Sequence, residues 1–243
     1  MTEKQTNDDL IIWFNRSKLP KGVPNLNKAI LKDTFDVVKP KKIPPQHWTL
    51  YNKYKMEFPP IDNKYAFPKE MYLVIESKTT KAIQFDYLDY NGYDVKFVSA
   101  DFLCFLEEHG LTVGYEKAHL NIVNLQGELL VTKPYYALRF GLYDDDLFDF
   151  SKQTKVRGKL EFGGTFYVYP DMKLKENNPQ RLVFCIAEFS YRNALIFKKT
   201  IVKDILANFY APEIYNIKDF PFVYANQYNW EILPFDNEYK LRP

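Results

Sequence analysis

The chain has 243 residues and a mass of 28.9 kDa, enough to bury a substantial core without disulfides or a structural metal. Hydrophobic residues make up 46% and charged residues 26%, the balance of an ordinary globular protein and not of a disordered one. A net charge of +2 is too small to imply nucleic-acid binding through the whole molecule. The longest apolar run, Leu182 to Ala187, is far short of the ~18 residues of a membrane-spanning helix.

Charge is unevenly distributed. Residues 1–70 sum to +5, residues 71–150 to −7 and residues 151–243 to +4. Gathered on one face, the acidic middle block would attract a cationic partner and repel phosphate backbones. Residues 1–9 offer neither a basic stretch nor an apolar stretch of an export signal. Cys104 and Cys185 lie within apolar segments and are expected to be buried free thiols, consistent with a cytoplasmic protein.

In chain order, Leu10–Asn15 is the first predicted strand. Eight of the 15 prolines then fall within the first 68 residues, so residues 1–70 are expected to form an irregular arm. Trp13, Phe14, Trp48, Tyr51, Tyr54 and Phe58 would anchor that arm to a body spanning residues 71–243. Within the body, Met71–Glu76, Tyr93–Val98, Tyr135–Phe140, Phe166–Tyr169 and Arg181–Phe189 have the β-branched and aromatic texture of strands. Asn91-Gly92 suits the turn of a hairpin over residues 82–98, and Gly163-Gly164 suits another. One helix is expected to start at Ser99 and end near Gly110, with Phe102, Leu103, Phe105 and Leu106 facing inward. A second is expected to follow Thr200 as its cap and to stop before Pro212. Strands outnumber helices without regular alternation, which predicts an α+β fold with a mainly antiparallel sheet, a few packed helices and the proline-rich arm.

Catalytic patterns are sparse. His47, His109 and His119 share no metal-ligand spacing with one another or with the cysteines, and none of Ser17, Ser77, Ser99, Ser151 and Ser190 sits in a nucleophile elbow. Nine glycines, with only Gly163-Gly164 adjacent, do not make a phosphate-cradling loop. The sharpest candidate is Asp144–Asp149, whose last five residues spell the Asp-Asp-x-x-Asp pattern that binds magnesium pyrophosphate in terpenoid synthases. That chemistry needs the carboxylates on one helix face within an all-helical barrel, whereas this chain is rich in strands. Three readings stay open: a metal-dependent enzyme, a solvated acidic loop, or a docking site for basic side chains. The interleaved rings and carboxylates of Phe85–Asp94 read either as cross-strand packing or as interface anchors, and exposed coplanar rings would suit a carbohydrate-binding module.

Six segments stand in a telling order: Leu19-Pro-Lys-Gly-Val-Pro-Asn25, Pro68-Lys-Glu-Met-Tyr-Leu-Val74, the Val98–Gly110 helix signature, Tyr135-Tyr-Ala-Leu138, Asp149-Phe-Ser151 and Ala194-Leu-Ile-Phe197. In texture and order they resemble bacterial immunity proteins of polymorphic toxin systems, especially the immunity protein 43 family. The resemblance implies a non-enzymatic cytoplasmic protein, without cofactor or metal, that occludes the active or substrate-binding surface of a cognate toxin C-terminal domain. It implies no nucleic-acid or membrane partner. Charge and composition place the partner-binding surface at Tyr87, Asp89, Tyr90, Tyr143, Asp144, Asp145, Asp146 and Asp149, and a basic nuclease-type toxin would suit that surface best.

Overall fold

A computed structural model describes residues 9–15, 19–36, 45–77, 79–90, 93–150, 155–159, 165–176 and 180–226. In chain order the elements are β1 (Leu10–Phe14), β2 (Ala29–Lys32), β3 (Glu70–Ile75), β4 (Tyr87–Asp89), β5 (Val95–Ser99), α1 (Ala100–Glu108), β6 (Tyr115–Asn124) and β7 (Tyr135–Phe140). There follow β8 (Phe148–Asp149), β9 (Val156–Lys159), β10 (Thr165–Val168), β11 (Lys173–Leu174), β12 (Val183–Phe184), β13 (Ala194–Lys198), α2 (Val202–Asn208), β14 (Ile214–Asn216) and α3 (Phe220–Asn226). The fold is α+β. Among the described residues every strand pairing is antiparallel except β3 with β6.

The chain forms two compact units, and neither is continuous in sequence. The first comprises Met1–Lys18, Glu108–Leu111 and Tyr143–Pro243; the second comprises Leu19–Glu107 and Thr112–Leu142. Strand β1 therefore belongs to the first unit, while the rest of the proline-rich stretch belongs to the second.

The first unit is organised on a sheet of order β12-β13-β1-β14. Strand β1 is hydrogen-bonded on both edges and buried on both faces, which explains its uninterrupted Leu-Ile-Ile-Trp-Phe run. One face joins Leu10, Ile12 and Phe14 to Ile196, Tyr215 and helix α3, where Phe14 meets Phe220 edge-on at 5.2 Å. Pro221 is tolerated in the first turn of α3, where its missing donor costs no helical hydrogen bond. Strands β9 and β10 pair antiparallel, with Gly163-Gly164 between them outside the described residues.

The second unit holds a six-stranded sheet of order β2-β3-β6-β7-β5-β4. Met71, Leu73 and Ile75 alternate along β3 and join Ala118, Leu120 and Ile122 of β6 in one core. Helix α1 begins as its sequence prescribes: Ser99 Oγ accepts from Phe102 N–H at 3.2 Å and donates to the Asp86 carboxylate at 2.5 Å. Lys133 neutralises Asp86, which lies almost wholly inside. Gly110, at φ +100°, takes the left-handed conformation that follows a helix end.

Four expectations change. Cys104 is exposed because the helical period turns it outward between Leu103 and Phe105; Cys185 is buried, and both are free thiols. Thr200 does not cap α2, since a 3-10 turn over Lys199–Ile201 precedes the helix and no side chain caps it. Of Arg181–Phe189 only Val183–Phe184 is strand, because side-chain carboxylates take the backbone donors beyond it, as described below. In the 82–98 hairpin the first strand begins only at Tyr87. Ile83 N–H instead bonds Leu130 C=O and Gln84 N–H bonds Gly22 C=O. The Asn91-Gly92 turn lies outside the described residues; the left-handed conformation is seen at Tyr93 and Asp94.

Candidate partner-binding surface

The acidic run falls on a 3-10 turn over Asp145–Leu147, followed by β8, and not on one face of a helix. Its first two carboxylates serve the fold. Asp144 is buried: one oxygen pairs with the Arg181 guanidinium and the other accepts from Cys185 N–H at 2.9 Å, while Asp144 N–H returns a bond to Cys185 C=O at 2.8 Å. Asp145 accepts from Ala187 N–H at 2.8 Å and Glu188 N–H at 3.0 Å. Together they grip residues 185–188, drawing that backbone out of the sheet ladder. A uniformly solvated acidic loop is therefore not what the sequence makes. Asp146 and Asp149 remain exposed, Tyr143 is half-buried, and Lys175 Nζ donates to the Asp146 carbonyl at 2.9 Å. Among the described residues no group of three or more His, Cys, Asp or Glu is placed to hold a metal ion.

Burial pushes the Asp144 carboxyl above its ordinary value, against the opposing pull of Cys185 N–H and Arg181. Glu188 is also raised, first by burial and further by the neighbouring Asp145 charge. A carboxyl raised on folding binds protons more tightly in the folded chain. Its stabilisation is complete below the unfolded value of 4.5 for Glu188 and is lost as pH rises through the raised folded value. Glu188→Gln is thus expected to become more stable relative to the parent as pH climbs from about 4.5 to 7. Urea melts across that range check this; a relative stability that falls with pH would contradict the assignment.

Tyr87, Asp89 and Tyr90 belong to the second unit. Tyr87 is 2% exposed, its ring resting against Phe102. Asp89 forms a 3.0 Å ion pair with the buried Lys96 on the opposing strand, at the register position Asp89↔Lys96. Tyr90 packs against Phe97 at 5.2 Å. Cross-strand contacts occupy Asp89 and Tyr90, and packing on helix α1 occupies Tyr87.

Other residues here carry no sequence motif. Arg139 on β7 is 0% exposed and lies directly opposite Glu116 on β6. It donates to Glu116 at 3.0 Å through Nε and 2.5 Å through Nη2, and to the backbone carbonyls of Trp48 at 2.9 Å and Tyr65 at 2.8 Å. Its guanidinium also stands 4.5 Å from the Tyr51 ring centroid. The segment it fastens turns Leu50, Tyr54 and Ile61 outward, Tyr54 at 78% exposure. In the first unit, Leu147 and Phe189 are exposed beside residues gripped by the acidic turn, and Arg192 lies 4.8 Å from the centroid of the Phe189 ring. An arginine inside an apolar strand, as in Tyr-Tyr-Ala-Leu-Arg-Phe, is the sequence signal that could have pointed to Arg139.

Among the described residues no helix is long and apolar enough to cross a membrane. No curated protein matches the sequence. The sequence model described as immunity protein 43 matches residues 15–232, a span that takes in the whole described part of both units except residues 9–14. With most of its length accounted for by that match, the chain belongs to the immunity protein 43 family.

Proposed function

We propose that this protein neutralises a cognate bacterial toxin by binding its toxic domain and covering the active or substrate-binding surface, without performing catalysis itself. Membership of the immunity protein 43 family is the observation that carries this reading. The compartment in which it would act is the cytoplasm of the producing cell, and its partner is a C-terminal toxin domain with a basic surface.

In this reading the first unit supplies the contact. Asp144 and Asp145 hold the turn in place, leaving Tyr143, Asp146 and Asp149 to meet the toxin, with Leu147 and Phe189 adding apolar area. Desolvated aromatic and aliphatic anchors would supply affinity, and the exposed carboxylates would fix register and speed encounter. Tyr87, Asp89 and Tyr90 would act mainly by stabilising the second unit.

Co-expression with the toxin domain encoded directly upstream is expected to restore growth. Asp146→Lys combined with Asp149→Lys should slow association by about tenfold at low salt while leaving the melting temperature unchanged. Failure to protect against any neighbouring toxin would overturn the function. Protection with an unaltered association rate would overturn only the choice of surface.

A further inference from the structure

A cleft of about 430 Å³ opens in the second unit, between the turn at residues 21–28 and the segment following β3. Lys21, Lys28 and Lys81 line it together with the hydroxyl residues Ser77, Thr79 and Thr80, and none of its described lining residues is acidic. Pro24 and Ile75, both buried, give it an apolar floor. Hydrogen bonds hold both walls: Glu76 N–H donates to Lys28 C=O at 2.9 Å and Gln84 N–H to Gly22 C=O at 3.1 Å. Within the turn, Asn25 Oδ1 accepts from Asn27 N–H at 3.0 Å.

The donor set selects a ligand chemistry. Lysines are compact point charges, and Ser and Thr hydroxyls can rotate to donate; Ser77 and Thr79 share a 3.2 Å bond that uses one hydroxyl hydrogen, so the other of that pair and Thr80 complete a set suited to a tetrahedral, multiply charged oxyanion. Planar carboxylates are better matched by the arginine fork, which this cleft lacks. A phosphomonoester brings about −1.5 to −2 charges at neutral pH, against −1 for a carboxylate. The volume falls within the roughly 300–1,000 Å³ of small-molecule sites, so a bare phosphate would leave the apolar floor uncovered. We propose that this cleft binds a phosphomonoester carried on a small organic body, the phosphate meeting the lysines and hydroxyls and the body lying over Pro24 and Ile75. The cleft residues belong to the second unit, whereas those assigned to the toxin belong to the first.

The test is an amide-resolved NMR titration of the full chain with AMP, glucose 6-phosphate and inorganic phosphate, with citrate, a more highly charged anion built of planar carboxylates, as the control for charge alone. AMP or glucose 6-phosphate should produce saturable shifts at Gly22–Lys28 and Thr79–Ala82, with weaker binding of inorganic phosphate and little of citrate. The Lys28→Glu, Lys81→Glu double variant should weaken the phosphomonoester by at least about tenfold; both side chains are exposed, and circular dichroism verifies the fold. An absence of saturable shifts, undiminished binding in the double variant, or citrate binding as tightly as the phosphomonoesters would overturn the site. Inorganic phosphate binding as tightly as they do would overturn the role of the organic body.

Discussion

Arg139→Met is expected to lower unfolding free energy by about 3–5 kcal/mol, the range for removing one partner of a buried ion pair. Methionine fills much of the volume but replaces none of the donors. Glu116 would keep only the 3.2 Å bond from Phe67 N–H, the Tyr65 carbonyl would lose its guanidinium donor, and the Trp48 carbonyl would be left with the 3.3 Å bond from Tyr51 N–H. Leaving a buried acceptor unpaired costs about 1–3 kcal/mol, so the penalty exceeds what the added apolar contact returns. The loss should be concentrated where the arginine reaches. Hydrogen exchange is expected to accelerate at residues 47–67 and along β6 and β7, with the first unit's β1 and β13 much less affected. Glu116→Gln in the same chain should recover part of the loss by removing the unpaired charge. A loss below about 1 kcal/mol would mean that water takes over the guanidinium's contacts.

Local signals were legible in the sequence wherever one segment contained all the necessary information. The run Tyr135–Phe140 became β7 with the same bounds, and the Ser99 cap and Gly110 stop framed α1. Strand β6 was missed because Tyr-Glu-Lys-Ala-His-Leu-Asn-Ile-Val-Asn looks polar on average. Its signal is the alternation of Ala118, Leu120 and Ile122 on the buried face. Strand β2 was hidden by the prolines around it. What one segment could not disclose was its distant partner: β1 pairs with residues 194–198 and 214–216, and that long-range pairing makes the units discontinuous. The acidic run follows the same logic. Composition makes its four aspartates equivalent, whereas the backbone donors of residues 185–188 and Arg181 set two of them to structural work.

Gly141→Ala is expected to destabilise the second unit by about 1–3 kcal/mol, the usual cost of forcing extra volume into a packed site. The sign is informative because backbone entropy argues the other way. Gly141 is not in the left-handed region, and at such positions alanine commonly stabilises by about 0.4–1 kcal/mol through the unfolded chain. Here a Cβ would overlap the Phe58 ring, which lies against the glycine. The half-buried ring is paired with Tyr51 at 6.2 Å, and Tyr51 is itself seated under the Arg139 guanidinium, so moving the ring gives up that contact. Gly141 also donates its N–H to Gly114 C=O at 3.0 Å, which resists movement of the strand end. Displacement of the ring should therefore disturb the segment that Arg139 fastens, and the two substitutions should not add independently. Combining Gly141→Ala with Phe58→Ala is expected to cost less than the sum of the single changes, since deleting the ring makes room for the new methyl. Denaturant melts of the four variants of that cycle decide the point, and simple additivity would show that the ring vacates its place at little cost.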